Sequence, residues 1–595
     1  MESSNRKLPV LRLLVSAALF AAAIACAAAS QAAGCTLTTV ELPVHMVGQR
    51  AIATVGIDGQ KVPMIVDSGA WFSIIPESAA AQLHLNPRHV PNFAIYGIVG
   101  KAGARVASAS LTLAKGTLPN VQFIVGGSDL DQGAMGLLGR NILSLTDTEY
   151  DLAHGVIRFV YPSSECAKAN MAYWAGNTPI SEIQLENTDP SPVPAIVAAA
   201  KLNDAPIDVL FDTGSTTLVS LAGARHAGLK LEDMKAAGEI YGEGRGSAKA
   251  WTAAFARFEI GGEAILNNQL GVGDFELHNA DMLLGVDFFL SHHIYVSKQQ
   301  SRMFFTYAGG PVFARNVQAH TDDSASTAGA NDKLDADAYA RRGEASRARG
   351  DLQGALADLD RACALEPQNA VFFDARASVH YALKEWDRVG EDYETALHLD
   401  PNLAHARLGR AYLRQFNNDR DGALADLAVL DKTLAPQAQM RLGLATTYGQ
   451  LGEPVRALAQ LDLWIAAHAR DNSLASAYNS RCWQRVALGR DLDKALADCN
   501  ESIDLAPGNA LSVDSRAWVY LRMGQWQKSL GEFDNALALK PDLASSLYGR
   551  GIAQLRLGNR TASDSDLAAA RKLRPGIDAE HKRDALSLEQ LGGHN

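Results

Sequence analysis

The sequence predicts a multidomain chain: an all-β, two-lobed half followed by an all-α solenoid of helix pairs. Three observations predict it. Between about residues 36 and 307 the chain contains itself twice. PMIVDSGAWFSII (Pro63 to Ile75) is matched by DVLFDTGSTTLVS (Asp208 to Ser220), with Asp67 and Asp212 145 residues apart. Ile95 to Gly97 recurs at Ile240 to Gly242 at the same offset, and GLLGRNIL (Gly136 to Leu143) has a counterpart in MLLGVDFFL (Met282 to Leu290). Further on, prolines at 367 and 401, and again at 507, 541 and 575, stand 34 residues apart in an Ala- and Leu-rich, helically periodic stretch.

The first element is a leader, residues 1–33. Arg6, Lys7 and Arg12 precede the uncharged run LLVSAALFAAAIACAAA, and the small-residue exit SQAAGC follows, the layout of a secretory signal cut after Ala32. Two other readings stay open: an uncleaved membrane anchor, and lipidation at Cys35, where AAGC is a poor match to a bacterial lipobox. Export, to a bacterial periplasm, is the expectation. The cysteines agree with it, since Cys35 and Cys166 bracket the first lobe and a disulfide would staple its ends. Net charge is −11 and no basic tract occurs, which argues against a nucleic-acid partner.

The lobes are expected at 36–165 and 175–310. Each begins with a strand, a tight turn (Asp58-Gly59, then Asn203-Asp204) and a second strand ending at the aspartate. A short helix, Gly-bearing hairpins and a last apolar strand running into Leu-Leu-Gly complete each copy. A polar linker is expected at 311–335. The 34-residue period from 336 to 577 is that of the tetratricopeptide repeat (TPR), about seven repeats, with Gly343, Ala355 and Ala362 where two helices cross. Residues 578–595 are expected as a capping helix and tail. Cys482 and Cys499 fall on the two helices of one repeat, facing each other, and form a second disulfide candidate; Cys363 is left over.

The paired aspartates carry the chemistry. An ionised carboxylate set among apolar residues is costly unless paired or shifted in pKa. Two lobes related by a pseudo-dyad would bring the carboxyls together, where they share a proton and activate a water between them. In that arrangement Ser68 and Thr213 offer hydroxyls to lock the two loops to each other. Gly69 and Gly214 allow close backbone approach, with Ser215 next in the second loop where the first has Ala70. Ile65-Val66 and Leu210-Phe211 keep the pair dry. No H-E-x-x-H, P-loop or G-x-S-x-G occurs, and the adjacent His292-His293 point to opposite faces of a strand.

Two apolar-flanked D-[ST]-G segments, each followed by an apolar-apolar-Gly motif, resemble the aspartic protease family, pepsin and the retropepsins. The resemblance covers about 36–307. It implies an all-β bilobal fold and peptide-bond hydrolysis by Asp67 and Asp212 without metal or cofactor. It also implies support from the downstream Leu138-Gly139 and Leu284-Gly285, and flap hairpins carrying Tyr96-Gly97 and Tyr241-Gly242. Trp71, bulkier than the family's usual residue there, narrows one side of the cleft. The reading is an exported aspartic endopeptidase acting on polypeptide, with a protein partner or substrate held in the groove of the TPR array. The rival is an inactive protease-like peptide binder serving as an adaptor. A further reading is a self-processing protease that cuts its own linker.

Overall fold

The computed structural model describes residues 34–96, 101–114, 116–127, 130, 133–186, 194–240, 248–277, 279–313, 334–469, 471 and 473–591. The leader and most of the linker lie outside the described residues.

Period-two burial and turns with positive φ set the first half. Its strands are β1 (Leu37–Val47), β2 (Arg50–Ile57), β3 (Gln60–Val66), β4 (Ile74–Ile75), β5 (Arg88–Tyr96), β6 (Lys101–Leu113), β7 (Gly116–Gly126), β8 (Leu137–Leu138), β9 (Asp147–Asp151) and β10 (Val156–Pro162). The second copy repeats them as β11 (Ser181–Gln184), β12 (Val197–Leu202), β13 (Ala205–Asp212), β14 (Leu218–Ser220), β15 (Lys235–Ile240), β16 (Ala248–Ile260), β17 (Glu263–Gly273), β18 (Met282–Gly285), β19 (His292–Ser297) and β20 (Arg302–Tyr307). Short helices α1 (Glu77–Gln82) and α2 (Arg140–Leu143) fall in the first copy, α3 (Leu221–His226) and α4 (Val286–Ser291) in the second. Asp58-Gly59 turns at φ 45° and 82°, and Asn203-Asp204 at 48° and 66°, the left-handed pair that a two-residue hairpin requires.

Each copy closes into a barrel of the same order. The first runs β2-β3-β8-β4-β7-β6 with β6 returning to β2, and the second runs β12-β13-β18-β14-β17-β16 with β16 returning to β12. Beneath both lies one antiparallel sheet, β11-β20-β19-β9-β10-β1, to which the two copies contribute equivalent strands in mirrored order. At its centre Glu149 faces Tyr295. These two are equivalent positions of the two copies, so the pseudo-twofold axis passes between them. Polar bonds fasten this seam: Asp147 accepts from the Tyr295 hydroxyl and Ser297 Oγ (both 3.0 Å) and from Lys298 N (2.8 Å), while Glu149 pairs with Arg158 (2.6 Å) and His293 (2.8 Å). His292, on the opposite face, is fully buried against Phe288 and Glu263. Both histidines thus serve the sheet. Cys35 and Cys166 form a disulfide across the ends of the first lobe.

Among the described residues the second half holds seven helix pairs: α5 (Ala336–Arg349) with α6 (Leu352–Leu365), α7 (Ala370–Leu383) with α8 (Trp386–Leu399), α9 (Ala404–Phe416) with α10 (Arg420–Thr433), α11 (Met440–Gln450) with α12 (Pro454–Ala467), α13 (Leu474–Leu488) with α14 (Leu492–Leu505), α15 (Ala510–Arg522) with α16 (Trp526–Leu539), and α17 (Ala544–Arg556) with α18 (Arg560–Leu573). Helices α19 (Ile577–Arg583) and α20 (Leu588–Leu591) follow. Small residues set the crossings: a Cβ on Gly343 would sit 2.9 Å from Leu359, and one on Gly551 2.9 Å from Leu567. An arginine ladder runs along the pairs, with Arg342, Arg376, Arg410 and Arg550 each forked onto an aspartate 16 residues on (Asp358, Asp392, Asp426 and Asp566). Cys482 and Cys499 join α13 to α14, and Cys363 is a buried free thiol. The Cys482–Cys499 bridge closes a 17-residue separation. Replacing both cysteines by alanine is expected to lower the unfolding free energy of the array by about 3 kcal/mol, read from urea midpoints followed by circular dichroism.

The halves touch. On the first lobe, His45 Nδ1 meets Glu344 Oε2 of α5 at 3.0 Å, and Gln49 Nε2 donates to Ala348 O at 2.5 Å. On the second, Arg349 Nη1 donates to Leu290 O of α4 at 3.3 Å. One repeat helix therefore contacts both lobes.

Candidate active site

Strands β3 and β13 each end at an aspartate, and parallel pairing with β8 and β18 fixes where they end. Val66 pairs with Leu138 and Asp67 N donates to Leu138 O (3.0 Å), while Asp212 pairs with Gly285. The glycines are required by contact. A Cβ on Gly139 would lie 2.5 Å from the Phe72 carbonyl carbon, and one on Gly285 2.3 Å from that of Thr216. The loops are then tied down in the same way in both copies. Arg140 N donates to Ala70 O (2.9 Å) and Val286 N to Ser215 O (2.7 Å).

The two loops meet on the pseudo-twofold axis. Ser68 N donates to Thr213 Oγ1 (2.9 Å) and Thr213 N to Ser68 Oγ (3.0 Å). Each hydroxyl in turn donates to the other copy's strand end, Ser68 Oγ to Phe211 O (3.0 Å) and Thr213 Oγ1 to Val66 O (2.8 Å). Both side chains are fully buried. This reciprocal grip sets the two carboxyls beside each other, close enough that each shifts the other's titration. Each also lies against the other copy's glycine, since a Cβ on Gly69 would come within 2.4 Å of Asp212 Cγ and one on Gly214 within 2.4 Å of Asp67 Cγ.

The surroundings of the carboxyls differ. Asp67 is half-buried and accepts from Ala70 N (2.7 Å); Asp212 is buried and accepts from Gly214 N (2.8 Å). Burial raises Asp67 above the ordinary aspartate range, opposed by the Ala70 N–H, the bond from Asp212 and the charge of Arg50. Burial, and next the Asp67 charge, pushes Asp212 well above that range. Two carboxyls this close cannot both ionise cheaply, so one proton is retained between them over a wide pH interval.

Several site residues carry no signal in the sequence. Ser73 and Thr217 donate to Asn141 and Asp287 (2.8 and 2.6 Å) and accept from Gly139 N and Gly285 N (3.0 and 2.9 Å), bracing both loops from behind. Arg50, at the start of β2, reaches across the lobes and donates to Gly214 O. Its counterpart in the second copy is Ala195, so the cation stands on one side only. Trp71 is exposed at the rim. Of the flap candidates, Tyr96 ends β5, where it pairs with Lys101; Gly97, Tyr241 and Gly242 lie outside the described residues. Among the described residues no cluster of three or more His, Cys, Asp or Glu side chains is placed to hold a metal ion.

Comparison with known proteins agrees with this geometry. Residues 53–145 match a family described as "gag-polyprotein putative aspartyl protease" and residues 198–288 one described as "Aspartyl protease". The chain carries two aspartyl protease domains followed by a TPR-like helical region. Among curated proteins, the TPR repeat-containing thioredoxin TTL4 of Arabidopsis thaliana is 24% identical over 226 residues, 36% of this chain and 33% of that one. The small glutamine-rich tetratricopeptide repeat-containing protein 2 of Saccharomyces cerevisiae is 31% identical over 105 residues, 17% of this chain and 29% of that one. The chain thus spans about a third of the length of the curated relatives it matches. Among solved structures, a tetratricopeptide repeat protein from Parabacteroides merdae aligns with 42% of this chain and 98% of its own at 17% identity and a TM-score of 0.34. YrrB, a TPR protein with an unusual peptide-binding site, aligns with 38% and 95% at 15% identity and a TM-score of 0.21.

Proposed function

We propose that the first half is an exported aspartic endopeptidase, with Asp67 and Asp212 as its dyad, and that the TPR half brings it a protein substrate or partner. One observation carries the reading: equivalent loops of two copies, locked to each other by Ser68 and Thr213, set each carboxyl against the other copy's loop at a pseudo-twofold axis. Two disulfides and the leader's composition support export to an oxidising compartment such as the periplasm. Among the described residues no helix is long and apolar enough to cross a membrane.

In this mechanism Asp67, beside the Arg50 cation, is the ionised partner and Asp212 keeps the shared proton. A water on the open side of the pair gives a proton to Asp67 as its oxygen adds to the scissile carbonyl carbon, and Asp212 gives its proton to the carbonyl oxygen. Asp67 then passes its proton to the leaving nitrogen as the C–N bond of the gem-diol breaks, and Asp212 takes a proton back from one of the two hydroxyls, which leaves an acid, an amine and the dyad in its starting state. Rate should therefore trace a bell against pH. It falls in acid when Asp67 is protonated and falls again at higher pH when Asp212 loses its proton. Both limbs lie above the ordinary aspartate value of 3.8, because burial raises both groups. Arg50→Met removes the charge that favours ionised Asp67, so the acid limb is expected to move to higher pH while the alkaline limb moves less. Initial rates on a quenched peptide between pH 3 and 9 check this.

Incubating the purified chain with a denatured protein at several pH values tests the function itself. Cleavage present in the wild type and absent from both Asp67→Asn and Asp212→Asn supports the endopeptidase. Absence of cleavage at every pH leaves the peptide-binding adaptor.

A further inference from the structure

A terminal helix that only covers the end of a stacked array touches the last pair, here α17 and α18. Residues 577–591 reach further. The His581 ring lies 4.8 Å from Trp518 of α15, 4.7 Å from Tyr548 of α17 and 6.4 Å from Trp483 of α13, measured between centroids. Arg522 of α15 donates to Asp584 O (3.3 Å) and Arg556 of α17 to Leu591 O (2.5 Å). The Tyr548 hydroxyl donates to Asp578 (3.0 Å) and accepts from Leu588 N (3.1 Å). Helices α13, α15 and α17 are all first helices of their pairs. They pack successively on one another, which puts them on the inner side of the array's curve. The C-terminal segment lies along that inner face across three repeats.

The contact is well made but has a weak point. Ile577 and Leu586 are fully buried, whereas His581, 3% exposed, has no hydrogen-bond partner on either ring nitrogen among the described residues. An unpaired buried imidazole costs stability that an aliphatic side chain in the same place would not. Burial, and next the charge of Arg574, pushes its pKa down to about 4. The other groups facing it are Asp578 and Arg583 of its own helix and the Tyr548 hydroxyl of α17; Asp514 of α15 is turned to Ser545 and Ser546. Docking is therefore strongest above the imidazole's free value of 6.5 and weakens as pH falls from there toward 4. Among the described residues nothing covers the first helices of repeats two and three in this way, since Tyr381 and Phe416 are 59% and 66% exposed.

We propose that the inner face of α13, α15 and α17 is a peptide-binding groove held shut by the chain's own residues 577–591, which a partner's segment displaces. The displacing segment is a short helix of the same chemistry: aliphatic side chains around a neutral ring, with a carboxylate one turn earlier to meet Arg571 and the Tyr548 hydroxyl, as Asp578 does. Tethering gives the resident segment the advantage of high effective concentration, so a free peptide binds only when the resident one is gone or weakened.

This rests on the recruiting role proposed for the array and not on catalysis, so the test uses the full chain carrying Asp67→Asn. A fluorescein-labelled peptide of residues 576–591 is titrated against that chain, against the same chain with His581→Glu, and against one ending at Pro575. Binding to the latter two at least tenfold tighter than to the first is expected. Equal affinity for all three, or binding to none, with helical circular dichroism retained, overturns the proposal. Should the shortened chain lose its helical signal, hydrogen exchange on the unshortened chain decides. Amides of α19 exchanging at least tenfold faster than those of α17 support the plug, and equal protection overturns it.

Discussion

Asp67→Asn and Asp212→Asn are each expected to lower kcat/KM for peptide cleavage by about 10³-fold or more, with little change in fold. The amide keeps an oxygen to accept from Ala70 N or Gly214 N, so the loop hydrogen bonds survive. What is lost is the exchangeable proton. Without the carboxylate at 67 the water has no base, and without the acid at 212 the carbonyl oxygen has no proton donor. Because the two act as one unit, the double variant should be little worse than either single one. Initial rates on a quenched peptide, with circular dichroism on the same samples, decide this. A variant retaining more than a tenth of wild-type activity would remove that aspartate from the mechanism.

The grip beneath the dyad should be nearly as sensitive. Thr213→Val takes away an acceptor for Ser68 N and a donor for Val66 O in a site closed to solvent. Each group left unpaired costs about 1–3 kcal/mol, so a loss of about 2–6 kcal/mol in the stability of the β half is expected, together with loss of cleavage. Thr213→Ser keeps the hydroxyl and should retain most of both. Urea unfolding followed by near-ultraviolet circular dichroism separates the two variants. A valine variant as stable as the serine one would mean that the hydroxyls do not hold the lobes together.

The sequence makes the dyad legible because it breaks a rule twice. A carboxylate set between apolar runs is rare, and Asp67 and Asp212 repeat that context with Ser68 and Thr213 beside them. The downstream glycines are legible for a related reason, since the apolar-apolar-Gly motif itself recurs, at Leu138-Gly139 and Leu284-Gly285, 146 residues apart. The bracing pair Ser73 and Thr217 is hidden because the first loop carries one extra residue ahead of it, so the two lie 144 residues apart rather than 145. Arg50 is hidden because it has no counterpart in the second copy and meets Gly214 only once the lobes are assembled. The shared sheet escapes for the same reason. Nothing local in DTEYD or HHIYVS shows that β9 will pair with β19 rather than only with a neighbour in its own copy.

The α half divides similarly. Its period follows from prolines and small residues that recur every 34 positions, because each helix pair must pack on the next. The arginine ladder, 16 residues from base to acid, reads as ordinary surface charge until α5 and α6 are folded against each other. The final segment reads as a cap because an apolar stripe after the last repeat is all that the sequence shows of it. Its path over Trp483, Trp518 and Tyr548 depends on side chains 30 to 100 residues away.

Catalysis by this pair requires that Asp67 and Asp212 share one proton. The most direct measurement is a pH titration of the carboxyl carbons by 13C NMR in a chain labelled at aspartate Cγ, with the two signals assigned from Asp67→Asn and Asp212→Asn. Two coupled steps are expected, with the Asp212 carboxyl still protonated where Asp67 is ionised, and a fall in the Asp212 midpoint when Asp67 becomes asparagine. Two independent titrations near the ordinary aspartate value, each unchanged by removal of the other group, would contradict it.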